Sequence, residues 1–230
     1  MKISEVWGML TVLFEDNHLL AINKATGVLV QGDATGDKPL VEICKEYIKV
    51  NYNKPGDVFL GVVHRLDRPV SGVVVFARTS KALERMNALF RDRETKKTYW
   101  ALVTNKPVKD EDTLVHWLIK DEKKNKTTAY KREHPDGSRS ELSYKITGYQ
   151  SGLYLLEVNP ITGRSHQIRV QLASMGCPIV GDVKYGYDEP NPDASICLHS
   201  RELQFVHPVK KEPVQIIAAL PKNDFWKPFS

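Results

Sequence analysis

The segment His64–Gly72 holds the residues of this chain whose types and spacing are best suited to chemistry. Its carboxylate, Asp67, lies between Arg65 and Arg68, and a nearby cation favours the ionised form of a carboxylate. An ionised carboxylate can act as a nucleophile or as a base. The alternative is an ordinary surface ion pair, which contributes little to stability.

The element that must position Asp67 follows directly in the chain. The run Val73–Ala77 is apolar, rich in β-branched residues and bounded by Gly72, which predicts a buried strand. Asp67 is therefore expected on a loop, predicted over residues 51–69, that enters a sheet. Loops supported by a rigid scaffold often carry catalytic residues.

Further segments follow in a fixed order: Lys96–Val103, Gly163–Gln171, and Leu198–Arg201 with Phe205–Pro208. Together with His64–Gly72 they resemble the motifs H-R-L-D-x-x-T-S-G, K-x-Y-x-A, G-R-x-H-Q-[IL]-R-V and L-H-A…F-x-H-P. These motifs are typical of the RluA-like family of RNA pseudouridine synthases. The resemblance runs from about Leu10 to about Leu220. One departure is Val70, which stands where the family has threonine and removes a hydroxyl that could brace the loop.

The resemblance implies an isomerase that breaks the C1′–N1 bond of a uridine in RNA, turns the uracil and rejoins it through C5. Asp67 would be the catalytic carboxylate, and its role as nucleophile at C1′ or as base on the sugar stays open. In the family, the arginine at the position of Arg169 pairs with the catalytic aspartate. Tyr99 would stack on the uracil and assist proton transfer at C5. The implied reaction needs no cofactor and no metal.

Four further residues are candidates for RNA contact. Arg65 could fill the gap that a flipped nucleotide leaves. Arg164 is expected at the start of a helix, where amide groups and the helix dipole favour phosphate. Lys97 and Ile168, which lie in the same motifs, complete the set.

Structural roles for these residues stay open. Tyr99 could be a core residue of a strand, Arg65 could form a structural salt bridge, and Arg169 could be a solvent-facing helix residue. On the expected helix, Arg169 lies at the boundary of the apolar side. His64 and His166 are excluded from the catalytic set, because a lone histidine is more often structural.

The periodicity predicts helices over Leu40–Val50 and Ser165–Met175, the second closed by Gly176, and a third capped by Thr79. Strands are predicted over Leu10–Phe14, His18–Asn23, Val73–Ala77 and Thr98–Val103, and within Leu114–Ile119, Thr127–Lys131, Leu142–Tyr149 and Leu153–Val158. The expected fold is α+β, with a central mixed, largely antiparallel sheet in two subdomains flanked by few helices. The resemblance implies a single pseudouridine synthase catalytic domain over residues 1–230, in the minimal form without an N-terminal S4 domain.

The chain has 230 residues and is 41% hydrophobic, which suffices for a core, and no stretch approaches the roughly 20 apolar residues of a membrane span. The run Trp7–Phe14 is better interpreted as a first strand than as a signal peptide. A cytoplasmic location is therefore expected. Cys44, Cys177 and Cys197 are widely spaced, and we expect them to be reduced and packed, without a zinc site.

A formal net charge of +5 favours a polyanionic partner. The segment Lys120–Arg139, called the basic segment below, contains seven lysines and arginines interleaved with Tyr130 and His134. This mixture suits phosphate contact and base stacking. The alternative is a solvated hairpin face. The expected partner is structured RNA, from the large ribosomal subunit or tRNA, with no protein partner or membrane implied and a monomer as the simplest state.

Two other functions remain open. An N-glycosidase could use Asp67, although enzymes that cleave glycosidic bonds usually pair two carboxylates, and no second acid lies in the matched motifs. Release of free uracil would identify it. An RNA-binding protein without catalysis is the second alternative, and it would retain its effect after substitution of Asp67.

Overall fold

The computed structural model describes residues 10–33 and 35–230. In chain order its elements are β1 (Thr11–Glu15), β2 (Leu19–Lys24), α1 (Leu40–Asn51), β3 (Gly61–Val62), β4 (Ser71–Ala77), α2 (Ser80–Arg91), β5 (Lys96–Val103), β6 (Glu111–Asp121), β7 (Lys126–Tyr130), β8 (Ser138–Gln150), β9 (Leu153–Pro160), α3 (Gln167–Ser174), β10 (Leu198–Val206) and β11 (Pro213–Ile217). Short 3₁₀ turns cover Val183–Tyr185 and Lys227–Phe229. The residues Trp7–Met9 of the expected first strand lie outside the described residues.

The chain divides into two compact units. Unit 1 consists of the described part of Met1–Lys96 together with Ser200–Ala219, and unit 2 consists of Lys97–His199 and Leu220–Ser230. No helix among the described residues is long and apolar enough to cross a lipid bilayer.

Unit 1 is built around β4, in which all seven residues are buried. Its neighbours β2 and β3 pair with it in antiparallel orientation, as β1 does with β2 and β11 with β10. Burial on both faces explains why the sequence of β4 is a continuous apolar run. One core cluster combines residues of β2, β4, α2 and the β10–β11 pair: Leu19, Ala21, Val73, Val75, Ala77, Ala82, Met86, Leu203, Phe205, Ile216 and Ala218.

Helix α2 covers this core and begins where the sequence predicts. The Thr79 hydroxyl accepts a hydrogen bond from the Ala82 N–H at 3.1 Å, which caps the first turn. Ala82 and Met86, one turn apart, are both fully buried. The cap and the apolar stripe therefore fix both the start and the buried face of the helix.

Unit 2 contains the strand order β5-β9-β8-β6-β7, with antiparallel pairing throughout. Helix α3 contributes Val170 and Ala173 to a small apolar cluster with Leu118 and Ala129 of this sheet and with Tyr185. The helix ends at Gly176, whose φ of +83° and N–H bond to the Ala173 carbonyl (3.0 Å) form the expected C-terminal cap.

The α+β class with mostly antiparallel pairing and few helices is confirmed. The described residues contain three α-helices. Two local predictions are wrong. The loop predicted for 51–69 contains the short strand β3, and the helix expected from Ser165 begins only at Gln167 because His166 has a left-handed backbone with φ +54°.

Candidate active site

Asp67 lies on the loop between β3 and β4, as predicted, and is half-buried. A turn follows it, closed by a hydrogen bond from the Val70 N–H to the Asp67 carbonyl at 3.0 Å. Val70 is only 2% exposed. The residue that departs from the family motif therefore holds this turn by apolar burial and a backbone hydrogen bond.

Gly72 fixes the entry of this loop into β4. Its φ is +114°, and a Cβ at this position would lie 2.2 Å from the Ser200 carbonyl oxygen. No other residue type fits both the backbone angle and the close approach to β10. The glycine of the motif is thus explained by packing of two strands in unit 1.

His64 ties the same loop to its surroundings. Its Nε2 accepts a hydrogen bond from the Val75 N–H at 3.1 Å, and its ring stacks on Phe90 with centroids 4.9 Å apart. The acceptor role requires a lone pair on Nε2. This arrangement agrees with the exclusion of His64 from the catalytic set.

The two arginines beside Asp67 are both exposed. The Arg68 guanidinium binds Asp37 at 2.7 Å and donates through Nε to the Gly27 carbonyl at 3.0 Å. Arg68 therefore fastens the loop to the turn after β2. Arg65 presents its side chain at the surface, where an RNA contact is possible.

Lys24, the last residue of β2, is not among the candidate residues from the sequence. It is 1% exposed, and its ammonium donates to the carbonyls of Ala25 (2.9 Å), Val28 (2.8 Å) and Arg68 (3.3 Å). Burial lowers the pKa of Lys24 to about 7, while the negative charge of Asp67 opposes this shift. Lys24 thus binds the Asp67 loop through the Arg68 carbonyl and interacts electrostatically with the Asp67 carboxylate.

In unit 2, Tyr99 lies on β5 opposite Val158 of β9 and is half-buried. By contrast, Ala101, farther along β5 on the same face, is fully buried. Lys97, two residues before Tyr99, has its ammonium 3.9 Å from the position of a Cβ at Gly163. The structure therefore brings Lys97 to the loop that precedes α3.

Arg169 is 5% exposed, so its expected boundary position on the helix is wrong. Its Nε and Nη2 donate to the two carboxylate oxygens of Asp182 at 2.7 and 2.8 Å. Its Cζ also lies 5.1 Å from the centroid of the Tyr185 ring. A buried charge needs such a partner, and the fork of two parallel hydrogen bonds fixes the guanidinium plane.

Sequence reasoning missed Asp182 and Tyr185. They follow Arg169 by 13 and 16 residues and lie in a turn, where polar residues are ordinary. The one usable signal is that a buried arginine must have a carboxylate or carbonyl partner somewhere in the fold.

The loop before α3 is held by Gln167, another residue that sequence reasoning missed. Its Oε1 accepts hydrogen bonds from the Thr162 hydroxyl (2.8 Å) and the Arg164 N–H (3.0 Å), and its Nε2 donates to the Glu141 carbonyl (3.0 Å). Arg164 is exposed, three residues before the first helical residue. Ile168 is 7% exposed, which leaves little of its surface for contact with RNA.

The three cysteines are reduced and buried, as predicted. Among residues 10–33 and 35–230, no group of three or more histidine, cysteine, aspartate or glutamate side chains could hold a metal ion.

The comparisons with known proteins agree with these motifs. A family model described as RNA pseudouridylate synthase matches residues 18–174, which include Asp67, Tyr99 and Arg169. The chain therefore belongs to the RNA pseudouridylate synthase family, and the predicted family is confirmed.

Two curated relatives and one solved structure illustrate the range of this likeness. The ribosomal large subunit pseudouridine synthase C of Vibrio cholerae is 32% identical over 221 residues, covering 91% of this chain and 65% of that protein. The tRNA pseudouridine synthase C of the same organism is also 32% identical, over 95% of this chain and 93% of that protein. The chain thus spans about two thirds of its large-subunit relative. The structure of human RNA pseudouridylate synthase domain containing 4 has a TM-score of 0.78 at 23% identity, covering 96% of this chain and 91% of that one, which shows a shared fold.

Proposed function

We propose that this protein is an RNA pseudouridine synthase that isomerises uridine in large-subunit ribosomal RNA, in tRNA, or in both. The observation that carries the proposal is the family match over residues 18–174, with Asp67 at the motif position of the carboxylate on a firmly held loop. Both RNA classes are included because relatives named for each are equally similar to this chain.

In the proposed reaction the C1′–N1 bond of uridine breaks, the uracil turns and a C5–C1′ bond forms. The proton on C5 leaves and N1 gains a proton from solvent, so the product is an isomer of uridine. Asp67 acts as nucleophile at C1′ or as base on the sugar. Arg169 supplies the cation that keeps this carboxylate ionised, as the resemblance implies. Tyr99 stacks on the uracil and assists removal of the C5 proton.

The proposed RNA contacts are made by the candidate residues outside the catalytic set. Arg65 and Arg164 are exposed cations suited to bases and phosphates, and Lys97 lies beside the loop that carries Arg164. Ile168 offers only a small apolar contact. Unstacking the target uridine costs a few kcal/mol. Contacts of these residues with the RNA around the flipped uridine would offset that cost.

The basic segment is proposed as the main handle for RNA. All seven of its lysines and arginines are exposed. Tyr130 is 40% exposed and its ring lies against that of His134, with centroids 4.7 Å apart and planes tilted by 40°, so an aromatic surface lies among the charges. Four acidic residues of the same segment leave it with a positive balance. These features suit backbone contact with stacking on an unpaired base.

The catalytic part of the proposal is tested with Asp67→Asn, which keeps the shape of the side chain and removes its charge. Transcripts of large-subunit ribosomal RNA and of tRNA are incubated with each protein, digested to nucleosides and analysed for pseudouridine by chromatography. We expect product from the wild type and a decrease of at least about 10³-fold for Asp67→Asn. Asp57→Asn, an exposed carboxylate of the same loop region, serves as the control and should leave the rate unchanged.

Absence of product from both RNA classes with folded wild-type protein would contradict the proposed activity. Equal product from Asp67→Asn and the wild type would remove Asp67 from the mechanism. Free uracil in the reaction would instead identify an N-glycosidase.

A further inference from the structure

Tyr185 belongs to the same 3₁₀ turn as Asp182, and its N–H bonds to the Asp182 carbonyl at 3.0 Å. In such a turn, side chains three residues apart lie on the same side. Both side chains accordingly contact Arg169: the carboxylate forms the ion pair, and the Tyr185 ring lies against the guanidinium. One turn of the chain thus holds this arginine through charge and through a cation–π contact.

The hydroxyl group of Tyr185 points to other elements of unit 2. Its oxygen accepts a hydrogen bond from the Thr127 N–H at 2.9 Å and lies 2.7 Å from His166 Nδ1. Burial raises the pKa of Tyr185, so the hydroxyl keeps its proton at neutral pH. His166 is the left-handed residue immediately before α3. The hydroxyl therefore bridges a strand and the start of the helix that carries Arg169.

Thr127 belongs to β7, the edge strand of the sheet in unit 2 and part of the basic segment. An edge strand has N–H groups that no neighbouring strand can pair, and Tyr185 satisfies one of them. Thr127 is 2% exposed although it stands between the exposed residues Lys126 and Thr128. Its hydroxyl also donates to the Ser165 carbonyl at 3.1 Å, beside His166.

We infer that Tyr185 is a positioning residue that couples the basic segment to Arg169. The hairpin of β6 and β7 contributes the first part of the basic segment. Contact of RNA with this hairpin and the orientation of the Arg169 guanidinium both depend on one buried hydroxyl. The inference rests on the proposed function, which gives Arg169 its catalytic role and the basic segment its RNA contact. Its physical content is the path from Thr127 through the Tyr185 hydroxyl to His166 and the helix start, with the Tyr185 ring against Arg169.

The test is Tyr185→Phe, which removes the hydroxyl and keeps the ring against Arg169 and in the apolar cluster. The RNA dissociation constant, its salt dependence and the single-turnover rate at saturating enzyme are measured. We expect a rate about tenfold lower, the factor that one buried hydrogen bond commonly supplies, together with weaker binding and a smaller salt slope. Tyr187→Phe, the nearest tyrosine in the chain, is the control and should change none of the three quantities more than about twofold.

Three results would overturn the inference. A variant that loses thermal stability but keeps the wild-type rate, affinity and salt slope would make Tyr185 a merely structural residue. A change in the rate alone or in RNA binding alone would show that the hairpin and Arg169 are not coupled through it.

A measurement on the wild type covers the case in which Tyr185→Phe fails to fold. Hydrogen exchange at the Thr127 amide is followed with and without the RNA transcript, and we expect protection to increase when RNA binds. Unchanged protection in a saturated complex would overturn the inference. A wild type that binds RNA, protects Thr127 and forms no pseudouridine would contradict the proposed activity and leave the coupling of the hairpin intact.

Discussion

The loop of Asp67 and the start of α3 both present candidate catalytic residues, but different forces hold them. The Asp67 loop is shaped by its own backbone and by packing: the turn to Val70, the close approach at Gly72 and the hydrogen bond to His64. The start of α3 is shaped by buried polar side chains, chiefly those of Gln167 and Asp182. The first region should therefore be sensitive to added volume and the second to lost hydrogen bonds.

The largest effect is expected at Gly72. Gly72→Ala would place a Cβ within 2.2 Å of the Ser200 carbonyl oxygen at a φ of +114°, where neither backbone can yield without breaking the strand contact. We expect a loss on the order of 5 kcal/mol in the free energy of unfolding, measured by urea denaturation.

Gly27→Ala is the matched control. Gly27 also has a positive φ, +81°, but a Cβ there would meet no atom within 4 Å. Only the backbone strain remains, about 1–2 kcal/mol. Equal losses for the two variants would mean that the approach of β4 to β10 does not hold this region.

Asp182→Ala tests the second region. It removes the carboxylate that accepts two hydrogen bonds from the buried Arg169 guanidinium, which should decrease the free energy of unfolding by about 3–5 kcal/mol. Asp37→Ala breaks the exposed pair with Arg68 and should cost at most about 1 kcal/mol. Chemical denaturation of both variants provides the comparison, and a similar small loss for each would refute the structural role of the buried pair.

Gln167→Ala should have a smaller effect. It removes one hydrogen-bond partner each from the Thr162 hydroxyl, the Arg164 N–H and the Glu141 carbonyl, and lost hydrogen bonds of this kind cost about 1–3 kcal/mol in total. The exposed Gln150→Ala should change stability by less than about 0.5 kcal/mol. If thermal denaturation gives the same midpoint for both variants, the loop before α3 does not depend on this amide.

The smallest effect is expected from a change in pH, which acts on His116, a buried residue of β6 that contacts α3. Its Nδ1 lies 3.0 Å from Gln171 Nε2, and its Nε2 lies 3.3 Å from the Ser174 hydroxyl, which itself donates to the Gln171 carbonyl. This arrangement suits a neutral ring with its proton on Nε2. Burial, with a smaller effect of Lys131, lowers the pKa of His116 below its ordinary value of 6.5.

In the unfolded chain His116 therefore binds a proton near pH 6.5, whereas in the folded chain it binds that proton only at a lower pH. The stabilisation is fully present above pH 6.5 and is lost progressively as the pH falls below it. His116→Gln should show a flatter dependence of the unfolding free energy between pH 7.5 and 5.5. An identical slope for variant and wild type would exclude His116 as the cause.

The features that the sequence could predict differ from those it could not in the same way as the two regions differ: the former depend on near neighbours in the chain and the latter on distant partners. Asp67 on a loop before a buried strand, the Thr79 cap and the Gly176 helix end all depend on neighbours within a few residues, and all three are confirmed. The pairing of Arg169 with Asp182, the burial of Lys24 and the late start of α3 depend on partners that only the folded chain brings together. Short-range periodicity carries no information about such partners, which is why Arg169 was expected at the boundary of the apolar side of the helix.

The central claim is that the C1′–N1 bond of the target uridine breaks and that the same uracil is rejoined to C1′ through C5, so that no free base is released. The most direct test uses RNA that carries tritium at uracil C5 and carbon-14 in the uracil ring. The account predicts that the wild type releases tritium while all carbon-14 stays in the RNA, and that Asp67→Asn releases neither label. Release of carbon-14 as free uracil, or full retention of tritium with every substrate RNA, would contradict it.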